Sequence, residues 1–115
     1  MQWSAGLDEE GNIIVRIRGI LDVESARDSA KATVDLLGGA SRELHIQADE
    51  LEGYQQGARV TWQQNLWHHR SQIPRIRLFD ANSRVRMNTS VIAMSLGIPL
   101  KASGSGELQS ARALR

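Results

Sequence analysis

The feature that most constrains this chain is the change of hydrophobic period between residues 13 and 39. Residues 13–19 read IIVRIRG, with Ile13, Val15 and Ile17 on one side and Arg16 and Arg18 on the other, the period of two of a strand with one buried face. Gly19 ends that strand. Asp22 is suited to capping a helix, and Val23, Ala26, Ala30, Val34 and Leu37 then recur at spacings of three and four until Gly38-Gly39 supplies a stop. A strand and a helix that each expose an apolar stripe must pack against further elements of the same kind.

The chain supplies them. Leu44 and Ile46 alternate with His45 and Gln47 in a second strand, and Ile76 and Leu78, flanked by Arg75 and Arg77, form a third. Between them, Gln56 to Gln72 lacks proline and places Ala58, Trp62, Leu66, His69 and Ile73 on one side of a predicted helix that ends before Pro74. A further helix is expected from near Ser83 through Val85, Thr89, Ile92 and Leu96 to Gly97, followed by a short strand over Leu100–Ala102. After the SGSG at 103–106, Ser105 is expected to cap a last helix holding Leu108, Ala111 and Leu114. A strand around Trp3 pairs either within the domain or across a homodimer. This order predicts an α/β fold with a small, mostly parallel sheet of four to five strands. Strands covered on both faces read as continuous apolar runs, whereas these alternate, so the helices are expected mainly on one face. Arg16, Arg18, His45, Gln47 and Arg77 are then expected on the open face.

A chain of 115 residues, 41% apolar and 23% charged, has material for one core, and a single domain over residues 1–115 is expected. The N-terminus shows no basic region followed by an apolar stretch, and the longest apolar run near the other end is Val91–Met94. The expectation is a cytoplasmic protein without a membrane span. Cysteine is absent, which excludes disulfides, thiol nucleophiles and thiolate metal sites. The net charge of +1 conceals a split: residues 1–52 carry eleven acids and five bases, a charge of −6, and residues 53–106 carry seven bases against Asp80, a charge of +6. Either one surface attracts anions or an acidic partner, or folding interleaves the halves and cancels the field.

Gly19-Ile20-Leu21-Asp22, the strand from Leu44 ending at Asp49, Gly57-Ala58 followed by Leu66 and His69, and Arg75–Phe79 followed by Asn82-Ser83-Arg84-Val85 and Gly97 together resemble the STAS domain. That fold is shared by anti-sigma factor antagonists and the cytoplasmic parts of sulphate transporters. The STAS-like branch similar to lipid-binding Sec14 domains fits about as well. The resemblance implies a non-catalytic regulatory module that binds a regulatory or kinase-like protein partner. In the antagonists, the segment before the second helix carries an aspartate, then a serine that a partner kinase phosphorylates, then a small residue and glycine. The matching stretch here is Gly53-Tyr54-Gln55-Gln56-Gly57, and no serine or threonine lies between Asp49 and Thr61. A glutamine amide cannot accept a phosphoryl group, and Tyr54 is a different kind of acceptor. A helix N-terminus still offers unpaired N–H groups and a partial positive charge that hold a carboxylate, phosphate or carbonyl without covalent chemistry. Tyr54, Gln55, Gln56, Gly57, Arg59, Gln63 and Trp67 are therefore the candidate partner-binding residues, with a purely structural turn as the alternative. Trp67 falls off the apolar stripe, either exposed beside Gln63, Gln64 and Arg70 or packed on a neighbour.

Other chemistry is weakly represented. His68 and His69 are adjacent and project about 100° apart on a helix, so they do not make a metal pair, and His69 is expected at the core edge. Asp49, Glu50 and Glu52 read as a solvated polar turn. Asp80 follows a strand at the end where parallel sheets bind ligands, although pairing with Arg84 or capping the next helix is the favoured account of it. The alternative function is a small-molecule binding domain for an anionic lipid or nucleotide, with Asp22, Asp49, Asp80 and Arg84 as candidate ligands and the basic half, Arg86 and Lys101 included, as guide. No enzyme motif and no cofactor fingerprint is present. Nucleic acid is the least favoured partner, because 4% aromatic content leaves few stacking platforms.

Overall fold

The computed structural model describes residues 2–103. In chain order it contains β1 (Trp3–Leu7), β2 (Ile13–Leu21), α1 (Val23–Leu37), β3 (Leu44–Tyr54), α2 (Ala58–Leu66), a 3-10 segment (Trp67–Gln72), β4 (Ile76–Phe79), α3 (Ser83–Leu96) and β5 (Leu100–Ser103). The predicted helix after Ser105 lies outside the described residues. The strands form one sheet in the order β1-β2-β3-β4-β5, with β1 antiparallel to β2 and the other three pairs parallel. Parallel neighbours joined in sequence by right-handed crossovers place their connecting helices on one face.

Burial follows that geometry. Ile13, Val15, Ile17, Leu44, Ile46, Ile76 and Leu78 point under the helices and are buried, meeting Ala26, Ala30 and Leu37 of α1, Trp62 and Leu66 of α2, and Val85, Ile92 and Leu96 of α3. The opposite face carries the expected polar set. Arg16 pairs with Asp49 at 3.0 Å and Arg18 with Glu50 at 3.3 Å, while His45 meets the Phe79 ring edge-on at 5.7 Å and the Arg77 guanidinium lies 5.3 Å from the same ring. Glu43 reaches Arg75 of the basic half at 3.9 Å. On this face opposite charges are therefore interleaved.

The helix ends are set locally. Asp22 accepts a hydrogen bond from the Ser25 N–H at 2.7 Å and caps α1, whose other end closes on Gly38 at φ 55°. Asn82 does the same for α3, accepting from the Val85 N–H at 2.8 Å, and Gly97 closes that helix at φ 69°.

Two elements differ from the sequence expectation. The stretch from Asp49 to Tyr54 is strand, not turn: β3 runs on alongside β2, pairing Arg18 with Glu50, Leu21 with Tyr54, and absorbing its extra residues in two register shifts. The helix expected over residues 56–72 is α2 alone, and Trp67–Gln72 tightens into 3-10 geometry. Ile73, held extended at φ −111° and ψ 97° ahead of Pro74, obliges the helix to finish early. His69, on the 3-10 segment, is half-buried with its Nδ1 3.0 Å from Gln72 Oε1, at the core edge as expected.

Candidate functional site

Because β3 continues to Tyr54, the loop before α2 shrinks to Gln55-Gln56-Gly57. All three residues are exposed, yet their backbone is tied on both sides. The Gln55 N–H donates to the Leu21 carbonyl at 2.8 Å, the Ala58 N–H to the Gln55 carbonyl at 3.0 Å, and the Thr61 N–H to the Gly57 carbonyl at 3.0 Å. Gly57 caps α2 with φ 91°, a conformation that favours glycine, and a Cβ there would stand 3.3 Å from Val23 Cγ2. No side chain caps α2, and with the Ala58 N–H bound to Gln55 the N–H groups left over in its first turn are those of Arg59 and Val60.

Tyr54 belongs below this tip. Its hydroxyl lies 2.8 Å from Thr89 Oγ1, and the Thr89 hydroxyl donates to the Val85 carbonyl at 2.8 Å, so Tyr54 is the donor of the pair. Burial pushes the Tyr54 pKa above its ordinary value, with the hydrogen bond to Thr89 opposing. The phenol is thus a fixed strut between β3 and α3 rather than a presented group. Arg59 also crosses to α3, donating to Asn88 Oδ1 at 3.3 Å, while Asn88 donates to the Arg84 carbonyl at 3.0 Å. Together Tyr54, Gln55, Gln56, Gly57, Arg59, Val60 and Asn88 line a hollow of about 190 Å³.

The remaining sequence candidates fall elsewhere. Gln63 and Trp67 lie toward the far end of α2, where they line a hollow of about 330 Å³ with Gln64, His68 and Ser95 of α3. Trp67 is exposed, stacked under the Arg70 guanidinium at 3.8 Å. Asp22 is occupied as a cap and Asp49 by Arg16. Asp80 neither caps α3 nor pairs with Arg84: Asn82 is the cap, and Asp80 itself turns the chain at φ 61° with its Oδ1 buried and unpartnered. Arg84 lines a polar cleft of about 330 Å³ with Glu52, Asn82 and Ser83. Among the described residues no hydrogen bond or ion pair joins any two of Asp22, Asp49, Asp80 and Arg84. Nor do three or more His, Asp or Glu side chains there gather to hold a metal.

Sequence reasoning missed the contacts made by Asn82, Asn88 and Thr89. The first had a signal, an asparagine just ahead of an apolar-periodic run. The other two carry none, because their partners Arg59 and Tyr54 lie 29 and 35 residues away.

A five-stranded, mostly parallel sheet covered by helices on one face, with a glycine-capped helix start beside its parallel strand ends, is the fold that the STAS resemblance implies. No sequence family and no curated protein matches this chain. Among solved structures it is similar to an uncharacterised protein of the DUF3478 family from Shewanella loihica with a SpoIIAA-like fold, at 15% identity and a TM-score of 0.70, covering 88% of this chain and 85% of that one. It is also similar to the anti-sigma factor antagonist SpoIIAA in its unphosphorylated form, at 11% identity and a TM-score of 0.60, covering 97% of each chain. The likeness is one of fold. No helix among the described residues is long and apolar enough to cross a membrane.

Proposed function

We propose that this chain is a non-catalytic interaction module of the STAS type that grips a regulatory or kinase-like protein through the tip at residues 55–57. The observation that carries the reading is an exposed, backbone-anchored tip that offers two amides and a helix start but no serine or threonine between Asp49 and Thr61. The nearest hydroxyls are already engaged. Thr61 Oγ1 donates to the Gly57 carbonyl at 2.8 Å, and Tyr54 and Thr89 are bound to one another. Such a tip recognises a partner carbonyl, carboxylate or phosphate by hydrogen bonding alone. Supporting this, the structural relative named as an anti-sigma factor antagonist shares the fold along nearly the whole chain. The small-molecule reading has no comparable support, since its four candidate ligands are not assembled.

The test is a Gln55→Ala/Gln56→Ala variant measured against the protein partner recovered with the wild type. Affinity should fall by about tenfold, the loss of a few polar contacts, with the melting temperature nearly unchanged. Loss of stability with full retention of binding would contradict the reading.

A further inference from the structure

The strand β1 lies at one edge of the sheet and meets β2 on one side only. The two ends of that ladder fix where its backbone groups point. The Arg18 N–H donates to the Gln2 carbonyl and the Asp8 N–H to the Asn12 carbonyl, each at 2.9 Å, so Gln2, Ser4, Gly6 and Asp8 direct their N–H and C=O groups toward β2. Direction alternates along a strand, and Trp3, Ala5 and Leu7 therefore direct theirs outward. Among the described residues no hydrogen bond meets them on that side. Proteins guard such an edge with charge, proline or a bulge. β5, the opposite edge, carries the exposed Lys101. β1 reads Trp3-Ser4-Ala5-Gly6-Leu7, without charge or proline, and its register with β2 runs without a shift.

The side chains of this edge are self-complementary. Trp3, Ala5 and Leu7 stand opposite the buried Ile17, Val15 and Ile13 and so share the helical face. Trp3 and Ala5 are packed against the core, whereas Leu7 is 46% exposed at its rim. The other face of β1 carries only Ser4 and Gly6, and nothing lies within 4 Å of where a Gly6 Cβ would stand. A two-fold axis through Ala5, perpendicular to the sheet, lays a second β1 antiparallel against the first. It sets Trp3 opposite Leu7 of the second copy, Ala5 opposite Ala5, and Leu7 opposite Trp3. All of these positions bond outward, so each pair exchanges two hydrogen bonds, about six in the joint. Each Trp3 then covers the exposed Leu7 of its neighbour. The acidic runs Asp8-Glu9-Glu10 of the two copies fall at opposite ends of the joint, where neither faces the other. A hydrogen-bond pattern and an apolar row both centred on Ala5 suit a copy of this chain, whereas an unrelated strand would require neither. We propose that the outer edge of β1 binds a second copy of this chain through that two-fold, making one continuous sheet with the helices of both copies on the same face and their tips at residues 55–57 directed to opposite ends. A joint of five residues a side is at the low end of interface sizes, so association falls in the micromolar range. The proposal does not rest on the tip.

The test is sedimentation of the intact protein over a concentration series, with amide exchange of the same samples followed by NMR. A concentration-dependent dimer is expected. As it forms, the amides of Trp3, Ala5 and Leu7 should slow, while those of Ser4 and Gly6, already bonded to β2, should be slow at every concentration. Leu7→Asp sets a carboxylate against Trp3 at both ends of the joint and should weaken association about tenfold or more. Ala5→Pro should abolish it, because the N–H it removes points outward and the bonds to β2 are kept. A chain that stays monomeric up to millimolar concentration would overturn the proposal. So would a dimer that survives Leu7→Asp with native circular dichroism, or one in which the three outward amides still exchange freely. Slow exchange of those amides in a monomer, or only once lysate proteins are added, would equally overturn it, since something other than a second copy would then cover the edge.

Discussion

Gly57 and Tyr54 hold the tip from opposite sides, and each makes a separate prediction. At φ 91° a side chain at Gly57 is strained, and its Cβ, 3.3 Å from Val23 Cγ2, would also press that methyl group aside. Gly57→Ala should cost about 1–2 kcal/mol through left-handed backbone strain, read as an earlier midpoint in urea. Tyr54 is the chain's one tyrosine, so tyrosinate absorbance reports it alone. Its folded pKa is raised above 10.0 by burial, and the unfolded chain therefore loses that proton first. The contribution to stability is fully present below the unfolded pKa and declines as pH rises above it, toward the folded value. In Tyr54→Phe that alkaline decline should disappear, while stability at neutral pH drops by about 1 kcal/mol for the lost hydrogen bond to Thr89. A wild-type tyrosine that titrates at its ordinary value would place the phenol in solvent.

At the scale of elements, Asn82 ties α3 to β3. Besides capping α3 it donates to the Leu51 and Glu52 carbonyls, each at 3.3 Å. Asn82→Ala should cost about 1–2 kcal/mol and speed hydrogen exchange at the end of β3, whereas Asn82→Asp keeps the cap, loses the donors and should fall between. The same elements show what the sequence made legible and what it did not. α1 could be read in full because capping residue, apolar period and terminal glycine agree at Asp22 and Gly38, and α3 could be read from its period and Gly97 without its cap, Asn82. The second half of β3 could not. Asp49-Glu50-Leu51-Glu52-Gly53 is poor in strand-forming residues, and only pairing with β2 makes it a strand. The end of α2 was obscured for a similar reason: Trp67–Gln72 has residues compatible with a helix, and the constraint comes from Pro74 beyond it. Of the site, the lone glycine and the missing hydroxyl were visible in the sequence. The engagement of Tyr54 and Arg59 with α3 was not, because those pairings exist only after the helices are laid side by side.

For the whole molecule, the one-sided sheet separates a face that carries stability from one that contributes little to it. The buried side holds the energy: Leu78, wholly buried beneath the helices, should cost about 2–5 kcal/mol as Leu78→Ala. The open side should contribute little, and a double-mutant cycle over Arg16 and Asp49, both well exposed, should return under about 1 kcal/mol. The proposed recognition falls to neither, but to the exposed tip at residues 55–57 that follows the end of β3. The most direct test of that claim places a photo-crosslinking amino acid at position 55 in native cells, with the same group at Glu24 on α1 and at Arg18 on the open sheet as controls. The account predicts a discrete protein adduct from position 55, none from the controls, and no phosphate on residues 49–61 by mass spectrometry. Equal adducts from all three positions, none from 55, or a phosphorylated residue in that stretch would contradict it.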